Sequence, residues 1–237
     1  PCTGHLVRPV QGSDVRREVA VTTAPRILIV FSSLFGANAE LARLVEQTVT
    51  RAGAQGRTRG VPQLVLADRQ VPQAQAPSAT SEDLDWADGL IFSSPSHTGL
   101  PSAAIKAFID EHHEAAVKGK YVNKTFTAMS TSGYAHAGQE GVVNDLNAAA
   151  AAWGCIIVPP STANAQINQL DGNPYGLSFI LTDGKLPDTE TIRTLLQTHL
   201  ERFVMITQSV SGMPHAAHHA SATAPSASRA RATDVFG

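Results

Sequence analysis

This chain has few cysteines, no long apolar run and only a small net charge. Its 237 residues include two cysteines, Cys2 and Cys155, too few for a disulfide framework, which predicts a reducing, cytoplasmic setting. No apolar run approaches the roughly 20 residues of a transmembrane helix, so no integral membrane segment is expected. The net charge is −2 and the isoelectric point is about 6.5, a balance that argues against nucleic acid or an anionic membrane surface as a partner.

Several motifs of known chemistry are missing as well. The first glycine-bearing turn, residues 32–38, contains neither G-x-G-x-x-G nor the lysine of a P-loop, so neither a dinucleotide nor a nucleoside triphosphate is expected to bind there. The same turn is not a nucleophile elbow. His112 and His113 fall at the end of a predicted helix and three more histidines fall in the C-terminal tail, so no metal site is expected.

Composition divides the chain into three parts. Residues 1–24 have scattered charges and little apolar content, and the sequence beyond His215 is rich in Ala, Ser and Pro, a composition that buries too little apolar surface to fold. We therefore expect a disordered N-terminal arm (residues 1–24), one domain (residues 25–210) and a disordered tail (residues 211–237). The 43% hydrophobic content is enough for a sizeable core.

Apolar runs alternate with helical patterns inside the expected domain. Strands are predicted at residues 26–31, 63–66, 88–93, 124–129 and 155–158, and helices at residues 39–46, 102–113, 140–153 and 189–207. Strands that alternate with helices indicate βαβ crossovers and a parallel sheet. Nearly continuous apolar strands are typical of a sheet covered on both faces. The sequence predicts a doubly wound α/β fold with five parallel strands.

A loop of unusual composition follows the first predicted strand. Ligands of doubly wound sheets bind beyond the carboxyl ends of the strands, and a helix that begins there offers unpaired N–H groups to a phosphate. The side chains of Ser33 and Asn38, with the amides near Gly36, are the candidate donors. Taken alone, the loop is equally compatible with a Ser/Asn helix cap that binds nothing.

Two further loops follow the third and fourth predicted strands. Residues 94–101 combine Gly and Pro, which suits either the edge of a flat heterocycle or an ordinary strand-to-helix turn. Residues 130–139 supply hydroxyls, flexible backbone and one aromatic ring. His97 and His136 lie on these loops, and a solvent-facing histidine is the simpler interpretation of His136. Three such loops in register favour a ligand site more strongly than any one of them.

Five segments carry a resemblance to a known family. They are ILIVFSSLFG (27–36), SPSHTG (94–99) with FID (108–110), STSG (130–133) with GQE (138–140), GCIIVP (154–159) and NPYG (173–176). In this order they resemble the flavodoxin-like NAD(P)H:quinone oxidoreductases of the WrbA type, over about residues 26–203. The resemblance implies strand order 2-1-3-4-5, bound FMN, NADH or NADPH as co-substrate, ping-pong two-electron reduction of quinones, and a homo-oligomer (dimer or tetramer) with flavin sites at subunit contacts.

The same resemblance implies a set of site residues. Those around the FMN phosphate would be Ser33, Phe35, Gly36, Ala37 and Asn38; those along the isoalloxazine would be Pro95, Ser96, His97, Thr98 and Gly99; and Thr131, Ser132, Gly133 and Gly138 would complete the pocket. His136 and Trp153 are the catalytic candidates. Either solvent or His136 would protonate the product, and Trp153 stands where the family often has a histidine near the open face of the flavin. A simpler interpretation of Trp153 is that it packs its helix against the sheet.

Some positions depart from the family's pattern. Ala37 replaces the usual His or Asn, Ala152 and Trp153 replace a histidine pair, and the third loop is longer around residues 134–137. Two other functions stay open: a flavodoxin-type electron carrier, and a non-catalytic flavodoxin-like module that has lost FMN. Carriers tend to be strongly acidic around the flavin, unlike this chain, whereas Ala37 and Ala152 leave the second alternative open.

Overall fold

The structure, a computed structural model, describes residues 23–62 and 76–213. The strands in these ranges are β1 (Arg26–Phe31), β2 (Gln55–Gly60), β3 (Gly89–His97), β4 (Leu100–Pro101), β5 (Thr125–Ser132), β6 (Ile156–Ile157) and β7 (Leu177–Ile180). The helices are α1 (Ala37–Arg51), α2 (Ser81–Trp86), α3 (Ala103–Glu111), α4 (His113–Val117), α5 (Gln139–Ala152), α6 (Ala165–Leu170) and α7 (Thr189–Val210). None of these helices is long and apolar enough to cross a membrane. Most of the expected arm, most of the expected tail and the strand expected at residues 63–66 lie outside the described residues.

The central sheet is parallel, with order β2-β1-β3-β5-β6. β6 pairs with the beginning of β5, at Thr125 and Phe126. β7 also pairs with β5, but at its end, from Met129 to Ser132. The fifth position of the sheet is thus filled by two short strands with α6 between them. Taken by position, the order follows 2-1-3-4-5, but it differs in detail from the expectation because the sheet contains seven strands rather than five. The doubly wound α/β fold class is confirmed.

The strand beside β1 differs from the expectation. β2 has the polar sequence QGRTRG, which carries no apolar pattern. It lies at the edge of the sheet, where Arg57 and Arg59 form ion pairs of 2.8 and 2.9 Å with Asp83 of α2. Its parallel pairing with β1 over six residues holds it in the sheet. Hydrophobic patterning detects strands that bury side chains, so it missed this one.

Alternate residues of each strand face opposite layers of helices. Ile27 and Ile29 belong to a buried cluster with α1 and α7, whereas Leu28 and Val30 belong to a second cluster with α3 and α5. Both faces of β1 are therefore covered, which explains why its sequence is apolar without interruption. The long predicted helices are present as α1, α3, α5 and α7. This two-sided packing fixes the carboxyl ends of β1, β3 and β5 side by side.

Candidate functional site

Asn38 fastens the carboxyl ends of three strands to one another. Its Nδ2 donates to Thr131 Oγ1 of β5 at 2.9 Å, and its Oδ1 accepts from Ser93 Oγ of β3 at 2.7 Å. The side chain is 2% exposed, so its amide is directed into the protein. The sequence predicted that this side chain contacts a ligand; in the structure it holds the first loop against the other two strands, and its backbone N–H remains a candidate donor.

The first loop forms a neutral N-terminal cradle on α1. Gly36 is the N-cap, with a φ of 99° that favours glycine, and its N–H donates to Ser33 Oγ at 3.1 Å. The first hydrogen bond of the helix runs from the Glu40 N–H to the carbonyl oxygen of Gly36. The N–H groups of residues 37–39 therefore have no acceptor within the helix. Phe35 is exposed beside them, and no lysine or arginine belongs to the loop.

The second loop is a β-hairpin rather than a direct turn into a helix. β3 and β4 pair in antiparallel fashion, with His97 opposite Leu100. The two residues between them, Thr98 and Gly99, have φ values of 56° and 83°, as a two-residue hairpin with positive φ at both positions requires. His97 and Thr98 are exposed. β3 thus continues past its last pairing with β5, at Pro95, into this hairpin before α3 begins.

The third loop is hydrogen-bonded to this hairpin and packs against it. Ser96 Oγ donates to Ala137 O at 2.5 Å, and Gly138, with a φ of 86°, packs against Gly99 so closely that a Cβ on Gly138 would lie 2.5 Å from Gly99 Cα. Within the loop, Ser132 Oγ donates to Tyr134 O at 2.7 Å. Only glycine fits position 138, and the second and third loops form one continuous wall.

The two catalytic candidates lie far apart. His136 is exposed on the third loop. Trp153 follows the other end of α5, and a helix of 14 residues is about 21 Å long. The indole is 5% exposed, with ring centroids 4.7 Å from Tyr121 and 6.1 Å from Phe92. Trp153 thus packs in the core at the end of α5 that lies away from the third loop, which favours the simpler interpretation of this residue, that it packs its helix against the sheet.

A cavity of about 620 Å³ lies on the other side of the third loop. Its lining comes from the third loop and the beginning of α5, from the turn after α6, from β7 and from the beginning of α7. Burial raises the pKa of Asp171, in its wall, to about 7. The Asp171 carboxylate also accepts the Ser178 N–H at 3.0 Å. The sequence analysis missed this cavity, because it depends on how the split edge strand meets α7.

Asp171 gives the stability a testable pH dependence. Its folded-state pKa of about 7 exceeds the ordinary value of 3.8, so the contribution of Asp171 to the stability of the wild type falls as pH rises from about 4 through 7. Asp171→Asn keeps an acceptor for Ser178 and cannot ionise. We expect its melting temperature to exceed that of the wild type at pH 8.5, with a smaller difference at pH 5. As a control, Asp188→Asn should show no gain at pH 8.5, because hydrogen bonds lower the pKa of Asp188. A constant difference between wild type and Asp171→Asn across this range would contradict the assignment.

Two other buried groups with strongly shifted pKa values are structural. Burial lowers the pKa of His199 to about 3, so this imidazole is neutral where it meets Thr127 Oγ1, 2.8 Å from Nε2. Burial raises the pKa of the Cys155 thiol to about 12, which makes it unreactive. Both pack against the inner part of β5 or its amino-terminal end.

Within the described ranges, no three His, Cys, Asp or Glu side chains are grouped so as to hold a metal ion.

Comparison with known proteins shows which family this chain belongs to. Residues 25–169 match the model of the NADPH-dependent FMN reductase family. An NAD(P)H dehydrogenase (quinone) of Deinococcus radiodurans is 33% identical over 201 residues, which are 80% of this chain and 100% of that protein. Another, of Sinorhizobium fredii, is 30% identical over 166 residues, 65% of this chain and 82% of that protein. Among solved structures, a WrbA-like flavodoxin protein of Agrobacterium tumefaciens has a similar fold, with a TM-score of 0.58, 15% identity, and coverage of 79% of this chain and 99% of that one.

Proposed function

The chain belongs to the NADPH-dependent FMN reductase family, and on that premise we propose that it is an FMN-dependent NAD(P)H dehydrogenase that reduces quinones. The observation that carries the proposal is the joining of three loops by Asn38, Ser96 and Gly138 beside the free N–H groups of α1. This arrangement is preorganised for a ligand with a phosphate at one end and a flat ring at the other.

The residues present fit FMN. Unpaired N–H groups at the N-terminus of a 15-residue helix favour a phosphate without any cationic side chain. At Gly99 and Gly133 a Cβ would meet no atom within 4 Å, so the backbone on both loops is open to the approach of a flat ring. The Asn38 amide is bonded to Thr131 and Ser93, and Ala37 adds only a methyl group, so the departure at Ala37 introduces no bulky or charged side chain beside the proposed phosphate site.

Bound FMN supplies the two-electron redox chemistry of the reaction. The residues of this chain hold the reacting groups in position and stabilise the negative charge that develops during the reaction. Backbone N–H groups of residues 96–99 and 131–133 are held by the hairpin and the third loop, and fixed donors of this kind stabilise negative charge that develops beside them. The exposed imidazole of His136 holds an exchangeable proton on a ring nitrogen and is, with solvent, the proton source for the reduced quinone.

The remaining site assignments form part of the same proposal. The phosphate is held by Ser33, Phe35, Gly36, Ala37 and the Asn38 backbone; the ring by Pro95, Ser96, His97, Thr98 and Gly99; and the pocket is completed by Thr131, Ser132, Gly133 and Gly138. We also propose a folded unit of residues 25–210 and a cytoplasmic location.

A homo-oligomer is the last part of the proposal. Phe35 of the first loop, Leu100 at the beginning of β4 and Tyr134 of the third loop are exposed apolar or aromatic side chains. Exposed apolar groups clustered around one site favour contact with another protein surface. A second copy of the chain covering the flavin site would account for their position.

Stopped-flow reduction tests this function. In the absence of oxygen, NADH or NADPH should bleach the flavin absorbance of the FMN-loaded protein directly, and a quinone should then restore it. A one-electron carrier would keep its colour with NAD(P)H, and a module that has lost FMN would purify without any. Either of these two results would overturn the proposal.

A further inference from the structure

The cavity of about 620 Å³ behind the third loop is separate from the proposed flavin site. Its lining includes no residue of the first or second loop, and the wall between the two is closed where Gly138 packs against Gly99. A cavity of this volume is large enough for a small organic molecule. The residues of the lining alone therefore decide what the cavity can hold.

One part of the lining is apolar. Leu170 at the end of α6 and Ile180 at the end of β7 are 43% and 45% exposed, whereas Phe179 and Leu195 of the lining are buried. An occupant that covers Leu170 and Ile180 removes their apolar surface from water, which favours binding. The apolar side of the cavity therefore suits an occupant with a hydrocarbon portion.

Asp171 brings to the same cavity a carboxylate that lacks a counter-ion. The groups that stabilise its charge are neutral: the N–H and the hydroxyl of Ser178, and the N–H of Asn173. The hydroxyl is free to donate, because Ser178 Oγ itself accepts from Asn173 Nδ2 at 2.7 Å. No ion pair of the described residues includes Asp171. Since charges that are removed from water are normally paired, a cation would supply the partner that an ionised Asp171 lacks.

The other charges around the cavity disfavour an anion. Neither lysine nor arginine belongs to the lining, which includes Glu140 and His136. The N-termini of α5 and α7 border the cavity, and each carries its own acid: Glu140 in the first turn of α5, and Asp188 and Glu190 at the beginning of α7. These carboxylates offset the positive ends of the two helices. An anionic occupant would thus gain little there and would be repelled by Asp171.

A divalent metal ion is also a poor match, because no cluster of three ligating side chains is found among the described residues. A protonated amine, in contrast, needs one carboxylate and few further acceptors. We propose that this cavity binds a small primary ammonium ion with an apolar substituent, the nitrogen at Asp171 and the substituent against Leu170 and Ile180. This site goes beyond the proposed function and does not depend on FMN chemistry.

A series of four probes tests the site. We would titrate the FMN-loaded full chain with hexylammonium, methylammonium, 1-hexanol and hexanoate in a calorimeter at pH 8.5. At this pH Asp171 is ionised, because its pKa is about 7, and alkylammonium ions keep their proton. Hexylammonium should bind about tenfold or more tightly than 1-hexanol, which lacks the charge, and than methylammonium, which lacks the chain. Hexanoate should bind most weakly.

Variants assign the two parts of the site. Asp171→Asn should lower the affinity for hexylammonium about tenfold or more and leave the affinity for 1-hexanol nearly unchanged. Ile180→Ser should weaken both ligands, whereas Ile180→Leu should keep both. As a matched control, Glu82→Gln removes an exposed carboxylate of α2 outside the cavity and should bind hexylammonium as the wild type does.

Three results would overturn the inference. The first is hexylammonium affinity that is equal in the wild type and Asp171→Asn. The second is 1-hexanol or hexanoate bound as tightly as hexylammonium. The third is no binding of hexylammonium at millimolar concentrations, and dissociation of an oligomer by Ile180→Ser would then identify a second copy of the chain as the occupant. A flavin that NAD(P)H does not reduce, in a protein that binds hexylammonium as expected, would instead refute the proposed function and leave this site standing.

Discussion

Trp153→Ala is expected to lower the free energy of unfolding by about 3–5 kcal/mol, the usual cost of truncating a large buried aromatic side chain. The indole contacts the rings of Tyr121 and Phe92 at the end of α5, and its removal leaves a cavity between this helix and the sheet. Urea denaturation followed by circular dichroism measures the change. Because α5 separates Trp153 from the loops by about 21 Å, the protein that remains folded should keep its FMN and its KM for quinone.

The second tryptophan provides a matched control. Trp86 lies at the end of α2, is only partly buried, and has the Arg57 guanidinium 3.8 Å from its ring centroid. Its contribution through that contact is about 0.5–1 kcal/mol, so Trp86→Ala should destabilise the protein much less than Trp153→Ala. A fully stable Trp153→Ala with a raised KM for quinone would instead support the catalytic role that the sequence suggested for Trp153.

The parts of the fold that bury apolar side chains were predictable from the sequence. β1 and its loop into α1 are visible as an apolar run, a glycine and an amphipathic pattern, because local propensity and core packing agree there. β2 was not predictable in the same way, since its position depends on backbone pairing with β1 and on Arg–Asp contacts with α2. An edge strand without an apolar face leaves no periodic signal.

The site was predictable as three loops but not in its internal bonds. The types of residue in the first loop pointed to donors, and Asn38 was assigned to the ligand for that reason. Its partner Thr131 is 93 positions further along the chain, so only the folded structure shows that the amide is already used. The cavity has the same origin, because Leu170 and Ile180 come together only when α6 divides the edge of the sheet.

Ser33→Asp is expected to lower the affinity for FMN at least a hundredfold. Ser33 Oγ accepts the Gly36 N–H at the beginning of α1, so a carboxylate there would stand beside the N–H groups proposed to hold the phosphate. At an effective dielectric constant of about 20, two unit charges about 4 Å apart repel each other by about 4 kcal/mol. Isothermal titration of the apoprotein with FMN measures the loss.

Two controls make this result specific to the phosphate. Ser33→Asn has nearly the shape of the aspartate variant without its charge, and its side-chain oxygen can still accept the Gly36 N–H, so its affinity for FMN should stay within about tenfold of the wild type. Riboflavin lacks the phosphate and places no dianion at the helix N-terminus, so the wild type should bind riboflavin much more weakly than FMN. The affinity for riboflavin should be nearly equal in Ser33→Asp and Ser33→Asn. Equal affinity of the wild type for FMN and riboflavin, or full FMN content in Ser33→Asp, would mean that the phosphate lies elsewhere, since a carboxylate and a phosphate cannot share this cradle without strong repulsion.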